Sequence, residues 1–118
     1  MRVDERFRRA ERVRKKSEIE AVLRRPGLHG TYCVVHVLHG GRPVSRLGVV
    51  VSRAVGNAVT RNRVKRRLRE IFRRAKGRFT QPADVVIRAK RPIAEAAYPQ
   101  LVDEIAGLLR RGRLLDTS

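Results

Sequence analysis

The most chemically distinctive part of the sequence is a dense run of cationic side chains between residues 61 and 74. Eight of these positions carry Arg or Lys, and Glu70 is the only acid among them. Guanidinium groups form paired hydrogen bonds with phosphate oxygens and also stack on nucleobases. The run therefore favours binding of a polyanion. Its cations are Arg61, Arg63, Lys65, Arg66, Arg67, Arg69, Arg73 and Arg74.

The same run has the spacing of an amphipathic helix. Its apolar residues at i, i+4, i+7 and i+8 are Val64, Leu68, Ile71 and Phe72. We predict that this stripe packs on a core, in a helix over residues 58–76 with Asn57 as its N-cap. Like charges one turn apart, such as Lys65 and Arg69, repel each other, so a polyanionic partner would stabilise the helix. The alternative is an ordinary surface helix with a solvated basic face.

The sequence has no set of residues typical of a protein nuclease. His29, His36 and His39 have no carboxylates at metal-ligand spacing, and the acids are scattered along the chain, so no two-metal site is predicted. Cys33 is the only cysteine, which excludes an internal disulfide and a cysteine-based zinc site. We therefore predict no catalytic residue and no cofactor intrinsic to the protein.

Composition also indicates a polyanionic partner. The chain has 118 residues, with 29 Lys and Arg against 11 Asp and Glu, which gives a formal net charge of +18. Such a charge disfavours the compact state through self-repulsion, and a phosphate-rich partner would offset it. No apolar run approaches the ~20 residues of a membrane-spanning helix, and the N-terminal residues lack the apolar core of a secretory signal. We therefore expect a single cytoplasmic domain that binds nucleic acid.

Hydrophobic patterning predicts an α+β fold. The predicted helices are residues 17–25, 58–76 and 99–111, and the predicted strands are residues 32–38, 46–52 and 84–89. A capping box of Ser17 and Glu20 begins the first helix, and the first two strands pair as a hairpin. The element order indicates a two-layer sandwich with the helices packed on one sheet. The predicted division is a basic arm (1–14), a single domain (15–112) and a short tail (113–118).

Several runs of the sequence form a specific signature. LGVVVSR at residues 47–53 is followed by VGNAV at 55–59 and by RNRVKR at 61–66. The flanking segments RVRK at 12–15 and VIRAKRP at 86–92 agree with the same pattern. This signature resembles that of the protein subunit of bacterial ribonuclease P, and the resemblance covers about residues 8–111.

The resemblance implies an αβββαβα topology around a mixed four-stranded sheet. The additional strand, which patterning alone does not predict, would be short and would lie within residues 28–31. In this family the strand–helix–strand crossover through the basic helix is left-handed, against the general right-handed rule.

The resemblance also implies a function. The family's holoenzyme hydrolyses the phosphodiester bond that joins the 5′ leader to precursor tRNA, and its catalytic core is RNA, which holds divalent metal ions such as Mg²⁺. The protein subunit binds this catalytic RNA as a monomer in a 1:1 complex and contacts the precursor tRNA. The implied RNA-contact residues are Arg53, Asn57, Arg61, Asn62, Arg63, Lys65, Arg66 and Arg69.

A second implied site is a cleft between the first helix and the sheet, which holds the single-stranded leader. The family usually has aromatic residues there, whose rings stack on bases. This sequence has Ile19, Leu23 and His36 at the matching positions, so we expect an altered base preference or a lower affinity for the leader. Ile19 and Leu23 would serve equally well as core residues. Ala54 stands where the family often has Lys, which removes one phosphate contact.

Two other functions fit the same charge and size. One is a structural ribosomal protein, and the other is a small DNA-binding regulator that places the basic helix in the major groove. The signature around Arg61, Asn62 and Arg63 argues against both. Stimulation of precursor-tRNA cleavage would separate the first hypothesis from these alternatives.

Overall fold

The computed structural model describes residues 12–13, 15–40 and 43–116, which contain three α-helices and four β-strands. The helices are α1 (Lys16–Leu23), α2 (Ala58–Ala75) and α3 (Tyr98–Arg111). The strands are β1 (Leu28–His29), β2 (Cys33–His39), β3 (Arg46–Val50) and β4 (Ala83–Ala89). Short 3-10 turns at Arg53–Val55, Lys76–Arg78 and Arg91–Glu95 follow β3, α2 and β4. The element order matches the implied αβββαβα string, and β1 is the short additional strand.

The four strands form one mixed sheet in the order β1-β2-β4-β3. β4 is antiparallel to β2 and parallel to β3. The predicted hairpin of β2 with β3 is therefore wrong, because β4 is inserted between them. Alternation identifies a strand but does not say which strand it pairs with, and here α2 connects β3 to the parallel β4. The left hand of this crossover stays a prediction.

One face of the sheet carries the main core. Cys33, Val35 and Val37 lie on this face, as their alternation predicted, and they pack in one cluster with side chains of α2 and α3. Phe72 is the largest fully buried side chain, and its ring meets that of Phe79 edge-to-face with the centroids 5.6 Å apart. The sheet with α2 and α3 forms the predicted two layers.

The helix α1 packs on the same sheet as α2 and α3 but lies on its opposite face. Val22 is fully buried there and is not part of the main core cluster. The turn after α1 approaches β2 so closely that a Cβ atom at Gly27 would lie 2.7 Å from Cγ1 of Val34. This second face is formed by the even-numbered positions of β2, β3 and β4.

Local signals predicted one helix start correctly and another incorrectly. Asn57 caps α2 as predicted, because its Oδ1 accepts the Thr60 N–H at 2.9 Å. The Ser17 capping box is wrong: the N-cap of α1 is Lys15, and no side chain caps the helix. The Val13 N–H donates to the Leu47 carbonyl at 3.0 Å, so the sheet rather than a cap positions the chain entering α1.

The C-terminal residues extend the folded domain beyond its predicted end at residue 112. Leu114 and Leu115 are buried in the main core. Arg113, with a φ of 63°, ends α3 in a Schellman motif, in which the Leu114 N–H donates to the Leu109 carbonyl at 2.9 Å. The predicted tail therefore begins after residue 115. In the predicted N-terminal arm, residues 1–11 and 14 lie outside the described residues.

Candidate nucleic-acid interface

The helix α2 holds its basic side chains towards solvent because its apolar stripe is buried. The four predicted stripe residues are at most 5% exposed. Full burial of such side chains contributes roughly 1.5–3 kcal/mol each, which fixes the rotation of the helix about its axis. The confirmed stripe consists of Val64, Leu68, Ile71 and Phe72.

The eight predicted RNA-contact residues lie on α2 and on the segment that leads into it. The side-chain oxygen of Asn57 caps the helix, so its amide N–H groups remain for an external partner. The exposed members of the set are Arg53, Asn57, Asn62, Arg63 and Arg66, and the half-buried members are Arg61, Lys65 and Arg69. The structure thus brings all eight together in one continuous segment, and their contact with RNA stays a prediction.

One flank of α2 is joined to the turn that follows β4. The Arg63 guanidinium donates to the Ala94 carbonyl at 2.9 Å, and the Arg67 guanidinium donates to the Ala96 carbonyl at 3.1 Å. These two bonds orient the arginines without neutralising them, because a carbonyl carries no net charge. Both side chains therefore add positive potential along this flank.

The only acid of α2 neutralises one end of the helix. Glu70 accepts hydrogen bonds from Arg73 at 2.6 and 2.9 Å and from Arg74 at 2.8 Å. These bonds, those from Arg73 first, lower the pKa of Glu70 to about 2. Glu70 therefore neutralises cations of the C-terminal turn. No acid of α2 pairs with the cations of the N-terminal turns.

A shallow concavity runs along the same side of α2. It is lined by Val59, Asn62, Arg66 and Arg69, which are spaced at i, i+3, i+7 and i+10. Val59 is 76% exposed, which is unusual for a large apolar side chain, and sequence analysis missed it. Val59 and Asn62 are three residues apart, and this helical spacing would have predicted that they lie on the same side of α2. Arg66 and Arg69 give this concavity its positive charge. Burial, followed by the positive charge of Arg12, lowers the pKa of Arg69.

The second predicted site lies where α1 covers the sheet. Ile19 and Leu23 are half-buried on either side of the fully buried Val22. Each therefore packs partly against the protein and keeps some apolar surface accessible. Both residues belong to α1, and their place in the leader cleft and their contact with the leader stay predictions.

His36 is on the same face, but its ring is not available for stacking. The side chain is 5% exposed, and its two nitrogens lie 2.8 Å from the Arg25 carbonyl and 3.1 Å from Nε of Arg88. A guanidinium only donates hydrogen bonds, so His36 Nε2 accepts from Arg88 and Nδ1–H donates to Arg25. Sequence analysis named Arg88 only as part of the VIRAKRP flank and assigned it to no site.

A buried ionic network fixes α1 to the sheet. The guanidinium of Arg46 bonds both carboxylate oxygens of Asp84, at 2.9 and 2.7 Å, and it also bonds Glu18 of α1 at 2.9 Å. Arg46 and Asp84 are each 8% exposed and are paired residues of β3 and β4. The hydrogen bond to Asp84 is the main cause that raises the pKa of Arg46. The network sets the position of the N-terminal half of α1.

Cys33 has a structural environment rather than a reactive one. Burial, followed by the charge of Glu104, raises the pKa of its thiol to about 12. Glu104 of α3 accepts the backbone N–H groups of Thr31, Tyr32 and Cys33 at 2.6, 2.8 and 3.2 Å. This carboxylate therefore fixes the start of β2, and the thiol is a core residue.

Within the described part of the chain, no group of three or more His, Cys, Asp or Glu is arranged to hold a metal ion. No helix in that part is both long and apolar enough to cross a membrane. The exposed guanidinium and ammonium groups of α2 are the feature of the described surface that suits phosphate.

Comparisons with known proteins identify the family of the chain. A family model described as Ribonuclease P matches residues 7–113. The ribonuclease P protein component of Chloroflexus aurantiacus is 40% identical over 112 residues, which cover 92% of this chain and 82% of that protein. That of a Nocardioides species is 40% identical over 106 residues, or 86% of this chain and 91% of that protein.

Solved structures give the same result. The RNase P protein from Thermotoga maritima is 33% identical with a TM-score of 0.76, and the match covers 86% of this chain and 96% of that one. The Staphylococcus aureus RNase P protein, 24% identical, shares the fold with a TM-score of 0.82 over 92% of this chain and all of that one. The chain therefore belongs to the family of bacterial ribonuclease P protein components.

Proposed function

We propose that this chain is the RNA-binding subunit of a ribonuclease P holoenzyme that removes the 5′ leader from precursor tRNA. Membership of the family supports the reaction, and one observation supports the RNA-binding role most directly. α2 buries its apolar stripe while its only acid neutralises its C-terminal turn. The N-terminal turns are left as a rigid, cationic surface that suits the phosphates of the catalytic RNA.

In this proposal the hydrolytic chemistry and its Mg²⁺ ions belong to the RNA subunit. The protein contributes positive charge, which would screen the repulsion between catalytic RNA and precursor tRNA and so lower the requirement for metal ions. It acts as a monomer in a 1:1 complex with the RNA, in the cytoplasm.

The protein would also distinguish precursor from mature tRNA by touching the leader. The sheet face beside α1 offers the half-buried apolar side chains of Ile19 and Leu23 and the cation of Arg88. Such a mixture suits a single strand, whose bases are apolar on their faces and whose backbone is anionic. Because no aromatic ring is present at these positions, we expect modest affinity for the leader bases.

Cleavage of a precursor tRNA by a bacterial ribonuclease P RNA tests the proposal. The reaction is run at low Mg²⁺ with and without the protein, and the 5′ end of the product is mapped. We expect the protein to stimulate cleavage and to leave the correct 5′ end. The control is the same protein with Arg61, Arg63 and Arg66 replaced by Ala, which should stimulate less at equal concentration.

Absence of stimulation by a folded protein that binds the RNA would contradict the proposed function. It would favour one of the two alternatives, a ribosomal protein or a DNA-binding regulator. Preferential binding to ribosomal RNA or to a duplex DNA sequence would then distinguish these two.

A further inference from the structure

The side chain of Arg88 is held in one orientation by a histidine that is itself held by the backbone. His36 accepts from Nε of Arg88 at 3.1 Å and donates to the Arg25 carbonyl at 2.8 Å. His36 is 52 residues from Arg88 in the chain, and its ring is almost fully buried. The histidine is therefore a fixed hydrogen-bond acceptor that orients the half-buried guanidinium of Arg88.

Most of the hydrogen-bonding capacity of Arg88 remains unused. A guanidinium has five N–H donors, and Nε uses one of them. Among the described residues, His36 is the only hydrogen-bond partner of the Arg88 side chain. The two terminal nitrogens are thus left to donate together to a planar or tetrahedral oxyanion, which is the geometry that favours phosphate.

The charge of Arg88 is not neutralised by the acids of the same face. Asp84 and Glu18 both bond Arg46, at the other end of the sheet face. Asp84 precedes Arg88 by four residues in β4, a separation of roughly 13 Å along a strand, which exceeds the screening length at physiological salt. Arg88 is therefore an oriented cation that forms no ion pair with an acid among the described residues.

The surroundings of Arg88 are apolar and partly open. Its paired residues in the neighbouring strands are Val34 of β2 and Val50 of β3, and all three side chains share the face that α1 covers. Val50 is 37% exposed, although it is a large apolar residue. A nucleotide bound here would place its base against apolar side chains and its phosphate against the guanidinium.

We propose that Arg88 binds a phosphate of the 5′ leader and that His36 is its positioning residue. This inference rests on the proposed function and deepens it. It also gives His36 a role other than the direct leader contact that the resemblance implied. In this protein the oriented guanidinium of Arg88 and the neighbouring aliphatic side chains would bind the leader. They would take the place of the aromatic stacking that is usual in the family.

The test compares two precursor tRNAs that differ in leader length, one nucleotide against ten, bound to the holoenzyme under conditions that block cleavage. The ratio of their affinities is the leader contribution. We expect Arg88→Ala to reduce this ratio roughly three- to ten-fold, the size of one typical net hydrogen-bond contribution. The salt dependence of the ratio should also fall by about 0.7 in slope, the value for one phosphate of a single strand.

Three further variants separate binding from positioning. Arg110→Ala removes the same charge from an exposed site on α3, across the sheet, and should leave the ratio unchanged. His36→Gln retains an acceptor for Arg88 and a donor for the Arg25 carbonyl, so it should keep most of the leader contribution. His36→Leu should reduce the leader contribution nearly as much as Arg88→Ala does. Its binding to the catalytic RNA should be retained.

Distinct results would overturn distinct claims. If the unaltered holoenzyme shows a leader contribution and Arg88→Ala leaves both ratio and slope unchanged, Arg88 only braces the end of α1, and the inference fails while the proposed function stands. A holoenzyme without any leader contribution would contradict both. If a leader of abasic nucleotides removes the effect of Arg88→Ala, the guanidinium stacks on a base, and the phosphate assignment is wrong.

Discussion

The basic face of α2 and the sheet face under α1 both present cations, but they are built in opposite ways. On α2 the cations come from one continuous run of sequence, and helical periodicity alone sorts them from the buried stripe. On the sheet face, Arg46, Asp84, His36 and Arg88 come from three strands and meet only through strand register. We therefore expect the α2 face to tolerate the loss of single side chains, and the sheet face to depend on each member of its networks.

The largest effect is expected from breaking the network under α1. Asp84→Ala leaves Arg46 buried with Glu18 as its remaining carboxylate partner. Removing one partner of a buried pair typically costs about 3–5 kcal/mol, and the free energy of unfolding, measured by urea titration, should fall by that amount. Asp84→Asn keeps an acceptor for Arg46 and should cost less. Equal stability of the two variants would show that the charge of Asp84, and not its hydrogen bonding, decides the effect.

The α2 face should respond in the opposite manner, with a large loss of binding and little loss of stability. Replacing Arg61, Arg63 and Arg66 with Ala removes exposed or half-buried cations that lie outside the core. At about 1 kcal/mol per contact, binding to the catalytic RNA should weaken ~100-fold, and the salt slope should fall by about one unit per lost phosphate contact.

The matched control for this prediction replaces three exposed arginines elsewhere, Arg78, Arg110 and Arg111, with Ala. This control removes the same net charge from the protein. If both triple variants lose affinity equally, the RNA responds to net charge alone, and the assignment of the α2 face is wrong.

The same contrast explains which features of the fold and of the candidate sites could be predicted from the sequence. The α2 stripe, the Asn57 cap and the cation cluster were predicted because each depends on residues within a few turns of one another. The β2–β3 hairpin was predicted wrongly because β2 lies between β1 and β4, and β4 is about 50 residues away in the chain. The aromatic-to-histidine change at His36 was visible, but its bond to Arg88 depends on that same long-range register. No local pattern encodes such a pairing.

A smaller effect should follow from restoring an aromatic ring beside the sheet face. Ile19 is half-buried, so Ile19→Phe keeps an apolar contact with the protein and adds a ring for a leader base. Stacking is worth roughly 1–3 kcal/mol per base, and partial burial places our expectation at about 1 kcal/mol, or fivefold tighter binding of leader-bearing tRNA. The measurement is the affinity ratio for long and short leaders. An unchanged ratio would mean that Ile19 only packs α1 against the sheet.

The smallest effect concerns the pH dependence of the C-terminal turn of α2. Arg73 and Arg74 lower the pKa of Glu70 from the model-compound value of 4.5 to about 2. A lowered pKa in the folded state stabilises the protein above pH 4.5, and this stabilisation is lost as the pH falls towards 2. The Glu70 side chain is 37% exposed, so solvent screening reduces the contribution to less than about 1 kcal/mol.

Glu70→Gln should therefore lower the free energy of unfolding slightly at pH 7, and its difference from the unaltered protein should vanish near pH 2. A difference that is constant across this range would show that the ion pairs contribute no net stability. The same substitution leaves the turns around Arg61 and Lys65 unchanged, so any gain in RNA affinity would come from the cations that Glu70 releases at the C-terminal turn.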